Sequence, residues 1–202
     1  MNSTHIYKVF VIVVLFGFAD ISSAVENTWT KKADMPTARF GLTANVVDGK
    51  IYAIGGASRA QVGALAVEQY DPAKDQWTKK ADMPTFARCF YSASMVDGKI
   101  YAIGGLLTGD NWIVEQYDPV ADAWTRVADM PTPRFGLSTC VVNGKIYAVG
   151  GCSAGGSGLR TVEVYDPTTD TWSRKANMST SRGVFTVSVV DGIVYAIGGA
   201  KL

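Results

Sequence analysis

The stretch that decides the fold reads Val46-Val47-Asp48-Gly49-Lys50-Ile51-Tyr52-Ala53-Ile54-Gly55-Gly56. Close copies of it begin at residues 95, 141 and 189. In each copy, two runs rich in Val, Ile and Tyr flank an Asp-Gly or Asn-Gly pair, which suits a type I′ turn because both central residues take positive φ. The closing glycine pair lets the backbone turn sharply and lie close to a neighbour. The stretch therefore predicts four β-hairpins in an all-β repeat protein.

A tryptophan recurs once per repeat, at spacings of 48, 47 and 48 residues: Trp29, Trp77, Trp124 and Trp172. A period in the forties with short strands and turn residues is typical of a propeller blade of four strands. We expect strand A of the first repeat over about 41–47 and strand B over about 50–54. Strand C ends at Tyr70, and strand D is built around Trp77. The recurring Tyr and Trp side chains are expected to form the core.

A glycine pair after an apolar strand, then a Tyr, then a Trp seven residues further on, resembles the kelch repeat. The resemblance covers Trp29 to Leu202 and implies a kelch-type β-propeller of about three and a half to four blades, each of four antiparallel strands. It leaves closure undecided between an open arc, a small ring, half of a dimeric ring and a fragment of a longer protein. The expected units are an N-terminal strand over 28–32, repeats over about 40–77, 89–124 and 135–172, and a partial repeat over 183–202.

The first 24 residues are typical of a secretory signal peptide. Lys8 precedes an apolar run of 11 residues, Val9 to Ala19, and Ser22-Ser23-Ala24 supplies small residues for cleavage. The run is too short for a bilayer, which needs about 20 residues. We therefore expect cleavage after Ala24, a propeller domain over 25–202 without a membrane span, and a secreted or periplasmic location.

Charge and histidine content narrow the partners and cofactors. The formal net charge of +1 and the lack of a basic run argue against nucleic acid as a partner. The single histidine, His5, lies within the predicted signal peptide, so the mature chain has no histidine for a metal site of the usual catalytic kind. No cofactor and no metal are expected.

An arginine stands before strand A in each repeat, and these four are candidate ligand-binding residues: Arg39, Arg88, Arg134 and Arg182. In related kelch propellers, arginines at this position face the mouth of the central channel and contact acidic ligands. A guanidinium can donate two parallel hydrogen bonds to a carboxylate. The alternative is structural, with each arginine binding carbonyls of the adjacent blade.

The loops between strands B and C are the other candidate site, because repeat proteins vary such loops to set specificity. Trp112 stands there without an aromatic counterpart in the other repeats, and Trp is favoured as a binding anchor. Packing is the alternative role. The glutamates on strand C, by contrast, are expected to be structural: Glu68, Glu115 and Glu163.

The chain has three cysteines, Cys89, Cys140 and Cys152, at different points of the repeat. At most one disulfide can form, and its pairing is left open. We expect small buried apolar residues in separate blades.

The near-uniform repeats favour a secreted, non-catalytic module that binds a protein or a glycan through its loop face and arginine ring. The alternative is a metal-independent sugar-active enzyme resembling the periplasmic kelch epimerases that interconvert sialic acid anomers. Self-association is also expected, because an open sheet edge over Ile193 to Ile197 would accept further strands.

Overall fold

The computed structural model describes residues 29–57, 65–85, 89–105 and 112–200. The predicted signal peptide over 1–24 and Arg88 lie outside these residues. All strands fall in a unit spanning residues 32–202. Within the described residues, no helix has the length and apolar character needed to span a bilayer.

Three antiparallel sheets of four strands each repeat one simple meander. The first contains β1 (Thr43–Val47), β2 (Lys50–Ile54), β3 (Val67–Asp71) and β4 (Gln76–Lys80). The second contains β5 (Ser92–Val96), β6 (Lys99–Ile103), β7 (Val114–Asp118) and β8 (Ala123–Arg126). The third contains β9 (Ser138–Val142), β10 (Lys145–Val149), β11 (Val162–Asp166) and β12 (Thr171–Arg174).

The fourth sheet has two strands among the described residues, β13 (Thr186–Val190) and β14 (Ile193–Ile197). The first strands of consecutive sheets lie side by side, in the order β1, β5, β9, β13. This arrangement, with one meander per repeat, is propeller-like. It confirms the all-β prediction of three complete blades and a partial fourth.

The hairpin that decides the fold forms as predicted. Asp48 and Gly49 have φ of 47° and 71°, as a type I′ turn requires. β1 then pairs with β2 from Val47↔Lys50 to Thr43↔Ile54. Strand A is shorter than the predicted 41–47, because Gly41 has a φ of 62°, which extended backbone cannot take.

The core consists of two clusters, each lying between neighbouring sheets. One joins the first and second sheets through residues such as Tyr52, Ile54 and Tyr117. The other joins the second and third sheets through Ile103 and Tyr165, among others. The three complete sheets therefore bury apolar side chains against their sequence neighbours, as expected for a repeat array.

The prediction of an N-terminal strand over 28–32 is wrong for the described residues 29–32, which have no strand. Trp29 is fully exposed, although it is in phase with the later tryptophans. Trp77, in contrast, stacks on Tyr70 of the paired strand β3 with ring centroids 5.1 Å apart. A strand is stabilised by its partner strand, so sequence phase alone does not produce one.

Candidate functional site

Arg134 is fixed inside the third sheet by four groups. Its Nη2 donates to Glu163 Oε2 at 2.8 Å, and its Nη1 donates to the Thr161 carbonyl at 3.0 Å. The Ala148 carbonyl accepts a further bond at 3.2 Å, and Nε lies 3.2 Å from Met130 Sδ. The Arg134 side chain is 0% exposed. It joins the segment before β9 to β10 and β11, and no part of it reaches solvent.

Burial dominates the electrostatics of this arginine. It lowers the pKa of Arg134 to about 10, although the adjacent Glu163 carboxylate acts to raise it. The guanidinium therefore remains charged at neutral pH and requires its carboxylate partner. The hydroxyl of Thr132 donates a second hydrogen bond to this carboxylate, at 2.6 Å.

Arg39 repeats this arrangement in the first sheet. It donates to Glu68 Oε2 at 2.9 Å and to the carbonyls of Ala66 and Ala53 at 2.8 and 3.0 Å. Thr37 donates to the other oxygen of Glu68 at 2.7 Å. The Arg39 side chain is also 0% exposed. These contacts match the structural alternative with one correction, because the carbonyls belong to the arginine's own sheet and not to the adjacent blade.

The other two candidate arginines differ. Arg88 lies outside the described residues, and Glu115, which is equivalent to Glu68 and Glu163, is buried and accepts a hydrogen bond from Thr85 N at 3.2 Å. Arg182 is half-buried and donates to the Gly198 carbonyl, and it has no carboxylate partner among the described residues. The structure therefore places Arg39 and Arg134 in equivalent internal sites and leaves Arg182 partly accessible.

Trp112 lies at the end of its loop, half-buried. Its carbonyl accepts a hydrogen bond from Met130 N at 2.8 Å. Leu65 and Arg160 occupy the same place in the other complete sheets, since their carbonyls accept from Met83 N and Met178 N. The backbone role is therefore common to all three, and only the indole distinguishes Trp112.

A clamp between neighbouring repeats centres on an aspartate that sequence reasoning did not select. Asp122 Oδ1 accepts hydrogen bonds from Ala81 N at 2.9 Å and from the Tyr117 hydroxyl at 2.5 Å. Trp124 Nε1 donates to the Ala81 carbonyl at 3.0 Å. The same contacts recur around Asp75 and Asp170. The signal in the sequence was an Asp two residues before each of these tryptophans.

Hydrogen bonds stabilise the charged form of this clamp. The bond from the Ala33 amide, with that from the Tyr70 hydroxyl, holds the pKa of Asp75 below its usual value. The same Tyr–Asp bond raises the pKa of Tyr70 to about 12. The clamp therefore has a structural role, and it attaches the segment that precedes each complete sheet to strand D of that same sheet.

The turn before each inner strand carries apolar side chains at the loop end of the sheets. Phe40, Phe90 and Val184, which we call the rim residues, are 56%, 41% and 61% exposed. Phe90 and Val184 have φ of 54° and 50°. Seven of the nine non-glycine residues with positive φ in the described parts of the chain are Asp or Asn, so these two are the exceptions.

Backbone hydrogen bonds place the rim positions next to one another. Gly136 N donates to the Phe90 carbonyl at 2.7 Å, and Val184 N donates to the Gly136 carbonyl at 2.8 Å. The first and third repeats have Gly41 and Gly136 at this point, both with positive φ. An alignment of the four turns shows that Phe90 and Val184 stand where the other two repeats have glycine. Sequence reasoning missed this difference.

The hydroxyl groups along the inner strands are engaged with each other. Ser94 Oγ donates to Thr139 Oγ1 at 2.8 Å, and Thr139 N donates to Ser92 Oγ at 3.1 Å. Val187 N donates to Ser138 Oγ at 3.0 Å. These groups join adjacent inner strands, so they serve the seam between sheets.

The three cysteines are free and buried, which confirms the expectation of small buried residues and answers the question of pairing. The expectation of separate blades is wrong for two of them, because Cys140 lies on β9 and Cys152 follows β10 of the same sheet. Burial raises the pKa of Cys140 to about 11. A thiol of that pKa is a poor nucleophile at neutral pH.

Comparison with known proteins agrees with this geometry. The kelch motif matches residues 38–84, 87–131 and 133–179, more than half of the chain. The chain therefore belongs to the kelch repeat family. A solved structure described as "Structure of YjhT" is similar, with a TM-score of 0.75 at 18% sequence identity. The match covers 85% of this chain and 63% of that one, so the likeness concerns the fold. No curated protein matches the sequence.

Proposed function

We propose that this kelch repeat protein is a non-catalytic binding module that engages a protein or glycan ligand through its loop face. The observation that carries the proposal is the pair of exposed apolar residues in left-handed backbone, Phe90 and Val184. Exposed apolar side chains are common singly and need no explanation by themselves. Their backbone conformation is what demands one.

The cost of this conformation argues for a role outside the fold. A left-handed conformation costs a non-glycine residue about 1–2 kcal/mol, and a β-branched residue such as Val184 is a clear outlier there. Glycine avoids the cost at the same point in two other repeats, Gly41 and Gly136. Strained residues cluster at functional sites, because binding compensates for a cost that folding does not require. The rim residues are therefore the proposed contact surface, with the half-buried Trp112 at the loop end of the second sheet.

The arginine ring takes a different part in this proposal from the one that sequence reasoning gave it. Arg39 and Arg134 hold the loop ends in place from inside the sheets, and of the three described arginines of the ring Arg182 is the one that is partly accessible. The same burial counts against the sugar-active enzyme as the alternative, because its chemistry depends on arginines that contact the substrate.

Stability measurements on two matched valine variants test whether the left-handed backbone at Val184 is strained. Val184→Gly should leave the melting temperature unchanged or raise it, because glycine removes the strain. Val190→Gly makes the same change on β13, at a residue 55% exposed with ordinary backbone. It should cost about 0.5–1 kcal/mol, or roughly 1–4 °C in a chain of this size. An equal loss in both variants would mean that Val184 serves the fold, and the proposal would lose its basis.

Binding is tested with the full chain on a glycan array and against a phage-displayed peptide library. Ligands of the wild type should be lost by the double variant Phe90→Asn, Val184→Gly and retained by Val190→Gly. Asn tolerates the left-handed conformation, so the fold is kept. Retention of the same ligands by the double variant would contradict the rim as the contact surface. Turnover of free acidic sugars by the chain would favour the enzymatic alternative.

Export is part of the proposal and rests on the sequence of residues 1–24. Mass spectrometry of the natural protein should give a mature N-terminus at Val25. An intact N-terminus on the functional protein would contradict it.

A further inference from the structure

The segment after β12 departs from its counterparts in the other repeats at two positions. Three copies of this segment read Asp-Met-Pro, at residues 34–36, 82–84 and 129–131. The fourth reads Asn177-Met178-Ser179, so an amide replaces a carboxylate and a serine replaces a proline. The backbone contact of the methionine is kept, since Met178 N donates to the Arg160 carbonyl at 2.9 Å. The two exchanges therefore change the chemistry of the surface and not the path of the chain.

The first exchange leaves an arginine without the acid that accompanies its equivalents. In the second sheet, Arg126 lies 2.7 Å from Asp129, three positions further on. The first sheet has the same kind of pair, with a lysine 3.1 Å from its aspartate. Arg174 occupies this place in the third sheet, and Asn177 stands where the carboxylate would be. In the described part of the chain, no acid forms an ion pair with Arg174.

A second arginine lies next to the same segment. Arg160 is exposed, and its backbone carbonyl is the acceptor for Met178 N. Its equivalents in the other complete sheets are uncharged, Leu65 and Trp112. The third sheet therefore presents two exposed guanidinium groups beside a neutral amide, at the loop face.

This surface stays open when another sheet follows. The second sheet is followed by a complete sheet, and its Arg126 and Asp129 side chains are still 56% and 39% exposed. The exposure of Arg174 and Asn177 is therefore a property of their place in the repeat. Lys175 is a different case, because its equivalent in the first sheet pairs with an aspartate of the next sheet. We leave it out of the site.

The combination of guanidinium, amide and hydroxyl groups favours a sugar acid as the ligand. A guanidinium can donate two parallel hydrogen bonds to a carboxylate. The Asn177 amide and the Ser179 hydroxyl each both donate and accept, so they suit the hydroxyl groups that surround a sugar carboxylate. The aspartate and proline of the other repeats would repel the acid and offer no side-chain hydrogen bond. An acidic peptide would use the arginines but has no need of the serine.

We propose that the loop face binds a uronic acid unit of an acidic polysaccharide at four residues, which we call the acid subsite: Arg160, Arg174, Asn177 and Ser179. The arginines bind the carboxylate, and the amide and the hydroxyl bind the neighbouring sugar hydroxyls. The inference rests on the proposed function, because the acid subsite belongs to the loop face. It narrows the ligand of that face to an acidic glycan.

Titration of the full chain with an oligogalacturonate tests the inference. Its methyl ester is the matched ligand, since it keeps the sugars and removes the charge. The wild type should bind the free acid at least about tenfold more tightly than the ester, because losing one charge-assisted hydrogen bond weakens binding by about that factor. A glutamate peptide with the same number of carboxylates should bind more weakly than the free acid.

Two aspartate variants separate the acid subsite from net charge. Asn177→Asp restores the acid of the other repeats and should weaken binding of the free acid at least about tenfold, because Arg174 then pairs with it. Asn143→Asp adds the same charge at the opposite end of the third sheet, in an exposed turn where the other repeats have aspartate, and should leave binding unchanged. Both variants should keep the melting temperature of the wild type. Arg174→Gln should reduce the preference for the free acid over the ester.

Four results would overturn the inference. The wild type could bind neither ligand, or could bind the acid and the ester equally. Equal weakening by Asn177→Asp and Asn143→Asp would assign the effect to net charge. Tighter binding of the glutamate peptide would assign the surface to an acidic polypeptide. None of these results decides the proposed function, which the rim variant Phe90→Asn, Val184→Gly tests separately.

Discussion

Replacing Arg134 with methionine should destabilise the protein severely, although this residue belongs to a set first considered for ligand binding. The substitution leaves the Glu163 carboxylate, which is 3% exposed, without a cation. Breaking a buried pair by removing one partner costs about 3–5 kcal/mol. For a chain of 150–250 residues, each kcal/mol lowers the melting temperature by roughly 2–4 °C. We therefore expect Arg134→Met to lower it by about 6–20 °C.

The matched control is Arg126→Met, which makes the same change in a surface pair. Arg126 lies 2.7 Å from Asp129, with the two side chains 56% and 39% exposed. Such a pair contributes about 0–1 kcal/mol, so the melting temperature should fall by less than about 4 °C. Adding Glu163→Gln to Arg134→Met should recover part of the loss, since no unpaired charge then stays buried. Equal melting temperatures for the two single variants, measured by circular dichroism, would refute the assignment of Arg134 to an internal pair.

Three further substitutions or conditions test other parts of the fold. Gly104→Ala should be far more destabilising than Gly98→Ala in thermal melts. Both glycines have positive φ, but only at Gly104 would the new Cβ meet a backbone carbonyl oxygen, at 2.6 Å. Similar losses of stability in the two variants would contradict the close approach of neighbouring repeats. Asp122→Ala should lower the free energy of unfolding by about 1–3 kcal/mol more than Asp122→Asn, because alanine leaves the buried Tyr117 hydroxyl without its acceptor. Equal losses for the two variants in chemical denaturation would contradict the clamp. Acid should also destabilise the chain, because hydrogen bonds from a lysine and a threonine lower the pKa of Asp166 to about 2. The stabilising contribution of Asp166 is therefore complete above about pH 4 and is lost as the pH falls toward 2. Thermal melts from pH 5 to 2 in which the Asp166→Asn variant loses as much stability as the wild type would contradict this.

Local features of the fold could be predicted well from the sequence. The turn at Asp48 and Gly49 depends on two neighbouring residues, and its strands follow from the alternation around it. The N-terminal strand could not be predicted in the same way. Trp29 has the right phase, but strand formation depends on a partner strand, and phase along the chain does not provide one.

The site was harder to predict, because its contacts join distant residues. Arg134 and Glu163 are 29 positions apart. Each was seen to recur once per repeat, but nothing local indicates that they meet. The rim is different again, since the absence of glycine at Phe90 and Val184 is visible in the sequence. Its meaning depends on φ, which the structure supplies.

Arginine-specific labelling with phenylglyoxal, followed by peptide mass spectrometry, tests the central claim most directly. That claim is that the arginines before the inner strands are internal supports in the complete sheets, while the rim faces the ligand. On the folded chain, Arg39 and Arg134 should be protected, because their side chains are 0% exposed. The exposed Arg174 should react at the rate of the unfolded protein, and Arg182 at an intermediate rate. Modification of Arg39 and Arg134 as fast as Arg174 would contradict the account and restore the arginine ring as a solvent-facing site.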